Sequence, residues 1–207
     1  MEQDISALDR RTQIIETTTE LFLDKGFSGT SMSAIATACG ITKASLYHHF
    51  KGKDQLFSAC VAYGYTAALE AMEEIVADDG ISPKEKLSKA VKILYDITVE
   101  SNAGRMSPLI AEVSSKFPTV ARAFHTEYIE PQRALLWQIV EEGVRKGHFQ
   151  PLDQNQFFHV AFGPMVMLSL AREMFATFDD LDEHFPVSEL RDGHFKVLGQ
   201  MLQMQID

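Results

Sequence analysis

ITKASLYHHFKGKDQLF, residues 41–57, decides how this chain is read. It gathers two adjacent histidines, three lysines and a tyrosine, and its single acid is Asp54. Leu46 and Phe50 stand four apart, so on a helix both turn to one inward face. Ala44 and His48 then point outward, with Lys43 and Tyr47 on one flank and Ser45 and His49 on the other. Thr42 supplies a hydroxyl for the N-cap. The outward surface is small, polar and basic, and it has no apolar patch that would ask for a protein partner.

Upstream, FSGTSMSAIATACG predicts another short helix over 32–39, capped by Ser31, facing inward through Ile35, Ala36 and Cys39, and ended by Gly40. Two short helices joined by Gly40-Ile41-Thr42 have the spacing of a helix-turn-helix, whose second helix enters the DNA major groove with its N-terminal residues first. Lys43 can reach guanine or a phosphate, Ser45 either base, and Ala44 a thymine methyl. Tyr47 and His48 sit later on the helix, where phosphates are the nearer partners. Lys53 opens the following helix, where its ammonium and the free backbone N–H groups would converge on one anion. Before the motif, residues 9–25 carry a helical stripe of Ile14, Thr17, Thr18, Leu21 and Phe22, with Asp9 as cap and Gly26 as stop.

The formal charge of −10 argues against nucleic acid, but the distribution does not. From Lys25 to Lys53 there is no Asp or Glu, whereas residues 56–207 hold 13 Lys and Arg against 22 Asp and Glu. A basic end on an acidic body suits a protein that meets DNA on one side only. The 207 residues, 45% of them apolar, can bury a core without staples. Two cysteines make no disulfide framework and fit a reducing cytoplasm. No apolar run approaches the roughly 18 residues that span a bilayer, so no membrane partner is expected.

The stretch GFSGTSMSAIATACGITKASLYHHFKGKDQLF resembles the N-terminal helix-turn-helix of the TetR family of transcriptional regulators. The match runs over residues 10–57 and rests on Gly26-Phe27, Thr30, Ile35-Ala36, Gly40-Ile41, Thr42, Leu46-Tyr47, Phe50 and Lys53-Asp54-Gln55-Leu56. Cys39 stands where the family usually has Ala, and Ala44 where Gly is common. The resemblance implies a homodimer that binds a palindromic operator in double-stranded DNA and is released by a small ligand. It places DNA contacts on Thr30, Ser31, Ser33, Thr42, Lys43, Ala44, Ser45, Tyr47, His48 and Lys53.

The fold expected is all-α: a three-helix head over residues 1–52 and a larger helical ligand-binding and dimerisation body over 53–207. A long helix from Lys53 to about Val76 would act as the lever between them. Further helices are predicted at 83–101, 106–115, 118–147, 153–178 and 187–205. The segment FFHVAFGPMVMLSLAREMF is apolar nearly all round, as a helix buried on both sides must be. In the family the last two helices pair with their symmetry mates, which points to Phe158, Phe162, Val166, Leu190, Leu198, Met201 and Leu202 as interface. A single thick monomeric core is the competing reading. Met106, Phe124, Tyr128, Trp137, His159, Phe162 and Met165 are candidate walls for an apolar or aromatic inducer, with Arg105, His125 and His159 as polar anchors.

Other chemistries fit less well. His48 and His49 diverge by about 100° on a helix, whereas helical metal sites space their ligands at i, i+4, so no metal is expected. Cys39 and Cys60 read as small buried hydrophobes rather than a thiol sensor. There is no G-x-S-x-G, no HExxH and no Gly-rich phosphate loop, so neither an enzyme nor a cofactor is expected. The remaining alternative is a helical small-molecule carrier or enzyme with a protein-interaction head.

Overall fold

Gly26 breaks the first helix with a φ of 69°, in the left-handed region open to glycine. In the computed structural model, which describes residues 2–204 and side chains from Arg10 onward, α1 (Glu2–Gly29) reaches Lys25, kinks at Gly26 and ends in a short turn. Asp9 lies within this helix rather than at its cap, and its side chain is outside the described residues. Next come α2 (Met32–Ala38) and α3 (Lys43–His49), whose caps form as expected. Ser31 Oγ accepts from Ala34 N at 3.1 Å and Thr42 Oγ1 from Ser45 N at 3.1 Å. Such a cap contributes about 1 kcal/mol.

Leu46 and Phe50 are fully buried, as the helical wheel requires. They join Ile14, Phe22, Ile35 and Phe57 in a first core, where Phe22, Phe27 and Phe57 meet with ring centroids 5.3–5.7 Å apart. This core does not stop at residue 52. Leu56, Phe57, Cys60 and Val61, on the first half of α4 (Lys53–Ala77), complete it. It continues into the body through Ala103, Met106, Ile110 and Tyr128. Helix α4 is thus shared by head and body, packing on α1, α5 and α9.

The body is helical among the described residues, but its helices are more broken than the periodicity predicts. The expected 83–101 helix divides into α5 (Pro83–Tyr95) and a π-helical turn at Asp96–Glu100. After α6 (Asn102–Arg105) and α7 (Ser107–Ser114), the expected 118–147 helix becomes α8 (Pro118–Phe124), a second π turn at His125–Ile129, and α9 (Glu130–Arg145). Then follow α10 (Gln154–Met174), α11 (Leu181–His184), which the sequence reading did not include, and α12 (Val187–Met201). A π turn adds one residue to a helical register and leaves no periodic signature in a single sequence.

A second core collects Met72, Leu94, Tyr95, Leu136, Ile139, Phe157, Met165 and Leu198. At its edge Lys86 is only 1% exposed. Its Nζ donates to Val76 O at 2.8 Å and Glu142 Oε2 at 2.9 Å, while Lys146 reaches Glu142 Oε1 at 2.6 Å. The hydrogen bonds from Lys146 and Lys86 hold the Glu142 carboxyl below its usual range. This network ties the C-terminus of α4 to α5 and α9. No helix among the described residues is long and apolar enough to cross a membrane.

Candidate nucleic-acid interface

The solvent side of α2 and α3 carries most of the residues singled out for DNA. Ser31, Ser33, Thr42, Lys43, Ala44 and His48 are exposed, Ser45 is half-buried, and Tyr47 is 44% exposed. Lys43 Nζ lies 6.0 Å from the centroid of the Tyr47 ring, so both share one flank. Ser31 and Thr42 act as caps while remaining open to solvent.

Two expected contacts are placed elsewhere. Thr30 is 1% exposed, and its hydroxyl donates towards Gly26 O at 2.8 Å and Leu21 O at 3.2 Å. The nearer of these two carbonyls belongs to the kink residue itself. The Thr30 side chain therefore holds the α1–α2 corner instead of facing outward. Lys53 does open α4, but its ammonium folds back on the same corner. Nζ donates to Phe27 O at 2.6 Å and Thr30 O at 2.8 Å, and sits 4.2 Å from the centroid of the Phe27 ring. Burial pushes the Lys53 pKa down, while Glu112 works the other way. Three N–H bonds leave the ammonium, and two end on protein. Lys53 is thus first a clasp that sets α2 against α1 and α4.

Arg10 and Arg11, on α1, lie outside the residues singled out for DNA. Arg10 Nη2 donates to Cys39 O at 2.9 Å and Arg11 Nη1 to His49 O at 2.9 Å. The Arg11 guanidinium also stacks 4.1 Å over the Phe50 ring. Cations at the carbonyl ends of α2 and α3 satisfy orphan acceptors and oppose the negative end of each helix dipole. No pattern in a single sequence marks an arginine for a carbonyl 29 or 38 residues away.

His49 stands beside His48 at the end of α3. It is half-buried, burial lowers its pKa, and its ring makes an edge contact with His48 at 5.8 Å. Both thiols are held protonated: burial raises Cys39 and pushes Cys60 up to about 12. Cys60 Sγ donates to Ile15 O at 3.5 Å.

The seven candidate ligand residues do not converge. Met106, Phe124 and Tyr128 belong with the first core, where Phe124 and Tyr128 flank the Tyr65 ring at 5.2 and 5.7 Å. Met165 is fully buried in the second core. Trp137 packs on Phe157 and Phe158 and donates Nε1 to Glu141. His159 is exposed and Phe162 half-buried along the outer side of α10. Arg105 pairs with Glu173 at 2.8 Å and His125 with Glu130 at 3.3 Å, both exposed. Spacing along a sequence cannot tell the two cores apart. Gln132, which the sequence reading passed over, is 2% exposed, and its Nε2 has no partner among the described residues.

The proposed interface divides too. Phe158, Leu198 and Leu202 are buried within the single chain and are core residues, because α12 packs on α10 and α5. Met201 and Phe162 are half-buried, while Val166 and Leu190 are 53% and 43% exposed. Met167, Leu170, Met174 and Val197 extend the exposed apolar strip, at 42–67%.

Residues 14–60, which span α1 to the first turns of α4, match the family model for bacterial regulatory proteins of the tetR family. Over these residues the chain carries the DNA-binding head of the TetR family. It is 37% identical over 89 residues to the HTH-type transcriptional regulator YerO of Bacillus subtilis, a match covering 42% of this chain but only 31% of that protein. With the HTH-type transcriptional repressor KstR2 of Mycolicibacterium smegmatis it shares 26% identity over 143 residues, 69% of this chain and 68% of that one. Similar solved structures include AibR in complex with isovaleryl coenzyme A and operator DNA, at a TM-score of 0.67 and 26% identity over 94% of this chain and 99% of the other. FadR from Bacillus subtilis, bound to stearoyl-CoA, superimposes with a TM-score of 0.70 at 20% identity over 90% and 96% of the two chains, a likeness of fold. These TetR-family relatives are regulators rather than enzymes.

Proposed function

We propose that this TetR-family chain is a ligand-responsive transcriptional repressor that binds a palindromic operator as a homodimer and is released by a small, mainly apolar inducer. One observation carries the reading. The exposed side of α2 and α3 is polar, basic and free of acids from Lys25 to Lys53, and it is backed by a packed core that fixes both helices. Lys43, Ala44 and Ser45 read bases at the start of α3, with Ser31, Ser33, Thr42, Tyr47 and His48 on flanking phosphates.

The exposed strip on α10 and α12 supports the homodimer. Contiguous apolar surface of this kind marks an interface. Within it Gly163 and Gly193 have open space where a Cβ would stand, so a partner backbone can approach closely. A two-fold dimer sets its recognition helices about 34–36 Å apart, one turn of the duplex. Head residues 1–52 and body residues 53–207 then act as separate functional units sharing one lever, α4.

For the inducer, the unpartnered Gln132 amide is the most telling group, because a buried donor without an acceptor calls for an explanation. It suits a carbonyl or carboxyl oxygen on an otherwise apolar molecule. The acyl thioesters bound by AibR and FadR offer that chemistry, and the acyl-thioester class is the first to test. A ligand that prefers one head spacing shifts the population and moves the dimer off its operator. Gly64 is the tight point of the lever: a Cβ there would meet the Ala103 Cβ at 2.2 Å. The test is selection of genomic fragments on the purified protein, followed by release with acyl-CoA esters of graded chain length. Recovery of an inverted repeat with chain-length-dependent release supports the reading, and recovery of no common sequence rejects it.

A further inference from the structure

We propose that the groove between α5 and α12 binds a small organic phosphate whose apolar part rests on Val91 and Phe195. The groove encloses about 330 Å³. Lys89 and Lys92 line it from α5, and Arg191 and Lys196 from α12, against the single carboxylate Asp192. Four of the 13 cations carried by residues 56–207 therefore gather in one recess of a body that is otherwise acidic.

The pairing within the groove is incomplete. Arg191 bonds Asp192 at 3.0 Å and Lys92 bonds Asp96. Lys89 and Lys196 form no ion pair among the described residues. Clustered like charges repel one another, and a dianion set among them converts that repulsion into attraction. The Arg191 guanidinium, 25% exposed, adds the planar fork that recognises phosphate oxygens. The floor is different in kind: Val91 is 2% exposed and Phe195 half-buried, so an apolar substituent gains burial beside the charges. The recess is the size of a small ligand.

The groove also stays open in the dimer proposed above. Phe195 and Val197 point about 160° apart on α12, since each residue turns the helix by 100°. The apolar strip and the basic groove thus occupy opposite flanks of one helix, and a partner on the first leaves the second free.

Isothermal titration of the full chain with hexyl phosphate tests the proposal, with inorganic phosphate, hexanol and hexyltrimethylammonium as controls. Hexyl phosphate should bind saturably and more tightly than inorganic phosphate, and neither hexanol nor the cation should bind. Joint Lys89→Gln and Lys196→Gln substitution should weaken it by at least about tenfold, as should Ser88→Glu, which places a negative charge in the groove at an exposed helix position. Arg122→Gln, an exposed cation outside the groove, should leave affinity unchanged. The proposal is overturned if hexyl phosphate fails to bind, binds the folded variants as tightly as the parent, or binds no better than inorganic phosphate.

Discussion

His194 donates its Nε2 proton to Val160 O at 2.8 Å, the carbonyl that α10 itself cannot serve. In an unbroken helix that acceptor would take the N–H of the residue four positions on, but that residue is Pro164. A carbonyl only accepts, so Nε2 carries the proton and Nδ1 accepts from the Tyr95 hydroxyl at 3.0 Å. The His194–Val160 bond thus repairs the proline gap and locks α12 to α10 and α5, directly beneath the exposed strip proposed for dimerisation.

His194→Ala should lower stability by about 1–3 kcal/mol, the cost of leaving a buried acceptor unmet. Pro164→Ala restores the helix's own N–H, so the same His194→Ala change should be milder in that background. Thermal melts of the four proteins in the cycle decide it; an equal loss in both backgrounds would mean that His194 acts by packing alone.

Burial lowers the pKa of His194, and likewise that of His49, below the ordinary 6.5. The unfolded chain therefore takes up protons that the folded chain refuses, and stability falls as pH drops below 6.5 until the folded values are passed. His194→Gln keeps an N–H donor without titrating. Its melting temperature should change less between pH 7.5 and 5.5 than that of the parent, as followed by calorimetry at both pH values.

Glu142→Ala would leave Lys86, 1% exposed, with Val76 O as its only hydrogen-bond partner among the described residues. Breaking a buried pair from one side costs about 3–5 kcal/mol, whereas replacing both members by apolar groups costs far less. Denaturant melts should accordingly rank Glu142→Ala as less stable than the joint Lys86→Met and Glu142→Leu variant. The reverse order would assign Glu142 no role beyond its exposed pairing with Lys146.

Lys43 and Lys53 should separate in DNA binding. Lys43→Ala removes an exposed cation at the start of α3 and should reduce the salt slope by about one while altering sequence preference. Lys53→Ala removes the clasp on Phe27 O and Thr30 O, so it should lower the head's melting temperature and weaken all sequences with a smaller change in slope. A Lys53→Ala protein with unchanged stability and a slope reduced by one would instead make Lys53 a plain phosphate contact.

Joint Val166→Asp and Val197→Asp substitution, at positions 53% and 49% exposed, should yield a folded monomer by sedimentation and weaken operator binding by more than about tenfold. A variant that stays dimeric places the interface elsewhere.

The head was readable because its signals are local. Caps at Ser31 and Thr42, the i, i+4 pair Leu46 and Phe50, and glycines at the two corners all act within a few residues. What was not legible comes from groups that act across the fold. Lys53 looked free because its partners, Phe27 O and Thr30 O, are backbone atoms 26 and 23 residues away. Leu198 and Leu202 looked like interface because an apolar helix face does not say whether its own chain or a second copy covers it. Gln132 was passed over because a lone glutamine in an apolar stripe carries no chemical signature until its burial is known.

The most direct test of the regulator account is anisotropy of a labelled duplex carrying the inverted repeat nearest this gene, titrated across a salt series. The account predicts two protomers per duplex, affinity that falls steeply with salt, and loss of most binding when one half-site is scrambled. A folded protein that binds no duplex at about 50 mM salt, or binds intact and scrambled sites equally, would contradict it.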